Sequence, residues 1–115
     1  MSTKIISSIE IEALSKLYTI TKPDKVVAFL NENVFLVPVL LDEYSKIREF
    51  YPKENLFLEV FHDPAAPAPV HLTIWIDAKF EENDPFAKLH QLDHEWDAHL
   101  PPYVMEKLHT NLGSL

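Results

Sequence analysis

Residues 56–77 read as one β-hairpin with two unlike faces, and that hairpin constrains the fold more than any other stretch of the chain. With a period of two, Leu56, Leu58 and Val60 share a face with Val70, Leu72, Ile74 and Ile76, an aliphatic wall that must be buried. The opposite face carries Phe57, Glu59 and Phe61 beside His71, Thr73, Trp75 and Asp77. Left bare, its aromatic side chains form an apolar patch of roughly several hundred Å², about the largest that a soluble monomer tolerates. The cover is the chain's own C-terminal helix, a second copy of the chain, or a different partner. A lone hairpin is marginal in water, so a further strand is required, and the alternation Leu108, Thr110, Leu112 supplies it.

The hairpin loop, Asp63-Pro64-Ala65-Ala66-Pro67-Ala68-Pro69, has no glycine for a tight primed turn, and its prolines favour extended geometry. It reads as a stiff exposed tab. Pro64-x-x-Pro67 also matches the minimal pattern that aromatic grooves recognise, a match that a merely rigid loop gives equally well.

Helical signals flank the hairpin. Ser7 and Glu10 have capping-box spacing, which predicts a short helix with Ile11, Leu14, Leu17 and Tyr18 inward; a strand through Ile9 and Ile11 is the competing reading. Pro23 opens a second helix with Val26, Val27 and Leu30 inward, ended by Asn31 to Asn33 through a left-handed cap. A third starts between Val34 and Pro38 and ends at Pro52. Val37, Leu40, Leu41, Tyr44, Ile47 and Tyr51 form its apolar stripe, with Asp42 and Lys46 paired outside. After the hairpin, residues 85–99 form a helix with Pro85 at its first position and Asn83 or Asp84 as cap. Phe86, Leu89, Leu92, Trp96 and Leu100 lie inward, and Pro101-Pro102 stops it. The expected fold is a single α+β domain over residues 1–115: N-terminal helices packed on a small antiparallel sheet, with a further helix between the hairpin and a C-terminal strand.

Composition removes whole classes of activity. The absence of cysteine excludes disulfides, thiol nucleophiles and thiolate metal sites, and agrees with a reducing, cytoplasmic setting. With one glycine, Gly113, neither a P-loop, a dinucleotide fingerprint nor a nucleophile elbow can form. Eighteen acids against ten bases give a formal charge of −8, which repels phosphate backbones and argues against nucleic acid. The same charge suits a basic protein partner. No apolar run approaches the roughly 20 residues that span a bilayer, and the first eight residues lack a signal-peptide core, so no membrane association is expected.

One constellation has metal-ligand spacing. His90 and His94 stand one helical turn apart, and Asp93 and Asp97 fall on the same side, so two imidazoles and a carboxylate can meet one divalent ion. His90-Gln91-Leu92-Asp93-His94 has the outline of a zincin motif, but Gln91 replaces the glutamate that serves as general base, and an amide cannot take that proton. The plain alternative is a solvated helix face with loosely paired charges. Glu59 and His71, if cross-strand neighbours, form a second acid–base pair, with a satisfied polar pair in an apolar face as its alternative.

The strings Ile20-Thr21-Lys22-Pro23, Phe35-Leu36-Val37-Pro38, Lys46-Ile47-Arg48 and Leu58-Glu59-Val60, with Val27, Leu30, Leu92-Asp93 and Glu95-Trp96, resemble a group of small bacterial α+β proteins, frequent in cyanobacteria, with no established activity. The resemblance covers residues 19–96 as order and spacing of short motifs. It implies the order helices, hairpin, helix, strand, and it carries no catalytic residue. Where that group often has a second aromatic after the tryptophan, this chain has Asp97.

The function expected on these grounds is a small acidic, non-catalytic interaction module without a cofactor. It self-associates as a homo-oligomer through Phe57, Glu59, Phe61, His71, Thr73 and Trp75, and can mask a basic partner in the manner of an antitoxin or immunity protein. The alternative is a metal-binding protein or metal-dependent hydrolase using His90, His94, Asp93 and Asp97.

Overall fold

The structure, a computed structural model, describes residues 6–61, 70–77 and 85–113. The proline-rich hairpin loop and the expected caps Asn83 and Asp84 lie outside the described residues. Helix α1 (Ser8–Leu17) starts at the expected capping box: Ser7 Oγ accepts from the Glu10 N–H at 3.1 Å, and Glu10 Oε1 accepts from the Ser7 N–H at 2.9 Å. At Tyr18 the backbone turns extended and runs into a two-residue strand β1 (Thr19–Ile20). Lys22 then adopts a left-handed conformation (φ 51°), which turns the chain into α2 (Pro23–Glu32) with Pro23 at the first position.

Asn33 ends α2 with its side chain, not with left-handed backbone: its Nδ2 donates to the Phe29 carbonyl at 2.9 Å while its φ is −138°. Helix α3 (Leu36–Phe50) follows, and Arg48 seals its end by donating to the carbonyls of Tyr51 and Glu54 at 3.0 and 2.8 Å. The expected Asp42–Lys46 pair does not form. Lys46 meets Glu49 at 3.4 Å, one helical turn towards the C-terminus. Leu41, placed in the apolar stripe by its spacing, is exposed.

Strands β2 (Asn55–Phe61) and β3 (His71–Asp77) form the antiparallel hairpin, with Leu56 opposite Ile76, Leu58 opposite Ile74 and Val60 opposite Leu72. Strand β4 (Leu108–Leu112) lies beside β3, as the alternation of Leu108, Thr110 and Leu112 predicts. The sheet order is β1-β2-β3-β4. The α+β class and the order of elements follow the sequence, but the sheet is mixed, not antiparallel throughout, because β1 runs parallel to β2 and β4 parallel to β3. Each parallel pair is joined by a long helical crossover, the connection parallel strands need.

All the helices pack on one face of the sheet. Leu14, Tyr18, Val26, Leu30, Leu36, Leu40 and Ile47 meet Leu56, Leu58, Leu72, Ile74 and Ile76 in one core, which Leu92 and Val104 complete. The C-terminal crossover is not one helix over residues 85–99. Helix α4 (Pro85–Glu95) stops at Trp96, a 3₁₀ turn occupies Asp97–His99, and a single-turn helix α5 (Pro102–Met105) precedes β4. Phe86, expected inward, is 50% exposed, and Leu92 carries the contact with the core. Among the described residues no helix is long and apolar enough to cross a membrane.

Candidate functional site

Because period-two alternation sends every second side chain away from the helices, the far face of the sheet is laid out in rows across the strands. One row is Thr19, Phe57, Trp75 and Asn111; the next is Glu59, Thr73 and His109; the third is Phe61 and His71. The aromatics are half-buried or exposed, and Thr73 at the centre is buried by its neighbours. Among the described residues no helix lies over this face, so the C-terminal helix is not its cover.

The polar groups of the face are tied to one another. Trp75 Nε1–H donates to Glu59 Oε1 at 3.1 Å. The rings of His71 and His109 stack at 3.9 Å between centroids with planes 18° apart, and Phe61 packs on His71 at 5.3 Å. The expected Glu59–His71 dyad is not formed as a cross-strand pair. The register sets Glu59 opposite Thr73 and His71 opposite Phe61, so each of the two has a nearer partner. Gly113 flanks the face, where the Trp75 ring lies so close that a Cβ on Gly113 would come within 2.9 Å of Trp75 Cε3.

The four residues of the metal constellation are not gathered. His90, His94 and Asp93 sit on the exposed side of α4. Asp97 leaves them because the helix ends at Trp96, and the 3₁₀ turn swings its side chain inward. Among the described residues no group of three His, Cys, Asp or Glu side chains has the geometry to hold a metal ion.

What Asp97 meets instead is Glu43, a buried carboxyl on α3 that the reading of composition and motifs passed over. Its signal is in the sequence: Leu36, Leu40, Glu43 and Ile47 are spaced four, three and four apart, which places the glutamate on the inward stripe. Glu43 is 1% exposed. Its Oε1 accepts from Thr110 Oγ1–H at 3.2 Å, and its other oxygen faces Asp97 within hydrogen-bonding reach. Burial pushes the Glu43 carboxyl up to about 9, with the Asp97 contact and charge adding to the effect and the Thr110 bond opposing it. Burial also raises Asp97, helped by the charge of Asp93 and opposed by the bond from Glu43. These directions describe a carboxyl–carboxylate pair sharing one proton, Glu43 donating. Tyr18, buried beside it, donates its O–H to the Leu40 carbonyl at 2.6 Å, and burial drives its pKa upward.

The pair lines a cavity of about 260 Å³ between the α4 end and the outer edge of β4, which Asp93, His109, Thr110 and Asn111 also border. Comparison with protein families, with characterised proteins and with solved structures finds no match to this chain.

Proposed function

We propose that the protein is a self-associating interaction module whose far sheet face packs against the same face of a second copy. The observation that carries this reading is that the helices lie on one side of the sheet while Phe57, Phe61 and Trp75 remain part-exposed on the other. Sheets bury such faces by stacking about 10 Å apart, with inner side chains interdigitating.

Charge favours a second copy as the occupant. Helices α1 to α4 hold nine acids against five bases, whereas the far face of β2 and β3 carries only Glu59 and Asp77, and Glu59 already accepts from Trp75. Two copies meeting through the sheets therefore keep their acidic helical layers apart, which limits the like-charge cost. The four strands hold two, seven, seven and five residues, and at about 3.3 Å per residue and about 4.8 Å between strands they project a footprint of roughly 330 Å². This is under half of the roughly 800 Å² per partner of a standard interface, which places self-association through this face in the weak, concentration-dependent class. The helical layer is left free, and its acids are the surface that a basic partner would meet.

Light scattering at tens of micromolar tests the reading. A mass near 27 kDa, twice the 13.3 kDa chain, is expected. A mass of one chain would show that the face serves something other than self-association.

A further inference from the structure

Independently of the sheet face, we propose that the cleft between Glu43, Asp97 and the β4 edge binds an organic cation, a guanidinium or primary ammonium group that donates hydrogen bonds to the two facing carboxyls. Three observations converge on it. Glu43 borders the cleft while only 1% exposed, and apart from the proton the two carboxyls share, neither its buried Oε2 nor the buried Oδ1 of Asp97 has a hydrogen-bond partner among the described residues. Buried acceptors are almost always supplied with donors, so two such oxygens side by side call for a donor from outside or a proton.

The second observation is the missing base. Asp93 adds a third carboxylate to the cleft, and among the described residues no Lys or Arg lines it. The cations of α3 are engaged elsewhere: Arg48 donates to the Tyr51 and Glu54 carbonyls, and Lys46 meets Glu49 and the Trp96 ring. The other titratable groups around the pair are Tyr18, whose hydroxyl donates to Leu40, and His109 at the β4 rim. Without a cation the pair keeps one proton and a single negative charge, in line with the upward displacement of both acids.

The third observation is room and wall. A cavity of about 260 Å³ exceeds what a bare ion needs and accommodates a head group several times the roughly 30 Å³ of a water. Its floor is an edge strand. The Lys107 carbonyl accepts from Leu72 N–H and the Gly113 N–H donates to Ile76, so the odd-numbered residues of β4 bond to β3, and Leu108 and Thr110 turn their backbone groups to the open edge. Planar N–H donors match paired carboxyl oxygens, and the carboxyls do not converge as metal ligands do, which favours an organic cation over a divalent metal.

Cation and proton compete for the same oxygens, and this gives the site a signature. Binding is expected to release about one proton and to tighten about tenfold for each pH unit between about pH 6 and pH 8. Calorimetry of the full chain with agmatine, methylguanidine and putrescine, run in two buffers of different ionisation enthalpy, counts that proton. Shifts of the Thr110 and Asn111 amides locate the site, and the three probes separate guanidinium from ammonium. Glu43→Gln retains an acceptor for Thr110 and places an N–H₂ towards Asp97, so it is expected to fold, to bind at least tenfold more weakly and to lose the pH dependence. Thr110→Val leaves both carboxyls in place and is expected to keep proton-linked binding. The proposal is overturned by absence of binding at about 10 mM of all three probes with folded protein, by binding that releases no proton or is unchanged in Glu43→Gln, or by Mg²⁺ or Mn²⁺ occupying the cleft in preference to the organic cations.

Discussion

The indole N–H of Trp75 donates to Glu59 Oε1 across the central strand pair at 3.1 Å, which ties the largest side chain of the far sheet face to the neighbouring strand. A tryptophan held in one orientation loses little entropy on association, and central aromatics dominate interface energy. Trp75→Ala is expected to weaken self-association by at least about 2 kcal/mol, roughly thirtyfold in Kd, in sedimentation velocity runs over a concentration series. Glu59→Ala, which removes only the bond, should cost about 1 kcal/mol. An equal effect of the two changes would contradict the central place given to the indole.

Gly113 should tolerate no side chain while Trp75 keeps this position. Its backbone φ is not positive, so the constraint is steric: a Cβ would sit 2.9 Å from Trp75 Cε3. Gly113→Ala is expected to displace the indole and destabilise the fold by about 1–3 kcal/mol, the usual range for overpacking. The Trp75 indole resonance in an NMR spectrum reads the displacement directly, and an unmoved resonance would refute it.

The acid pair gives stability an unusual slope against pH. A glutamate in the unfolded chain titrates near 4.5, whereas Glu43 in the folded protein titrates near 9 because it is buried and faces Asp97. Between these values the folded state binds the extra proton, so the stabilisation is complete below pH 4.5 and declines as pH rises towards 9. The slope reaches at most about 1.4 kcal/mol per pH unit for one proton. Urea denaturation at a series of pH values should show this decline in the parent and a flatter profile in Glu43→Gln; identical profiles would remove the shared proton from the account.

Lys22 is the one described non-glycine residue with a positive φ, and it sits immediately before α2. A side chain in that region crowds the following carbonyl, and glycine does not. Lys22→Gly is expected to raise stability by about 0.5–1 kcal/mol, the strain relieved less the greater freedom of the unfolded chain. A higher urea midpoint at unchanged slope would show it.

Removing His90 and His94 together should change stability by no more than about 0.5 kcal/mol, since both are exposed and Asp97 is turned away from them. Titration with zinc and nickel is expected to show no submicromolar event. A tight stoichiometric event abolished in the double variant would restore the metal site.

Local chemistry marks out most of the elements. The Ser7–Glu10 capping box, Pro23 at a helix start, the α3 stripe and the alternation that gives β2 and β3 two faces all depend on residues within a few positions of one another, so spacing alone exposes them. Glu43 was legible in the same way, as a carboxyl in the Leu36, Leu40, Ile47 rhythm. Tertiary structure decided what period cannot carry. Two residues, Thr19 and Ile20, are too few to show alternation, and they become a strand only because β2 offers a free edge. Lys46 chose Glu49 over Asp42 because exposed ion pairs at helical spacing are nearly equal in energy. Asp97 was separated from His90 and His94 by a helix end at Trp96, and its burial against Glu43 is a contact across 54 positions of sequence that no helical wheel contains. Which side of the sheet the C-terminal crossover covers is likewise a packing outcome: Leu92 gains more by entering an aliphatic core than by lying on a face whose polar groups already bond to one another, and so the aromatic face stays open.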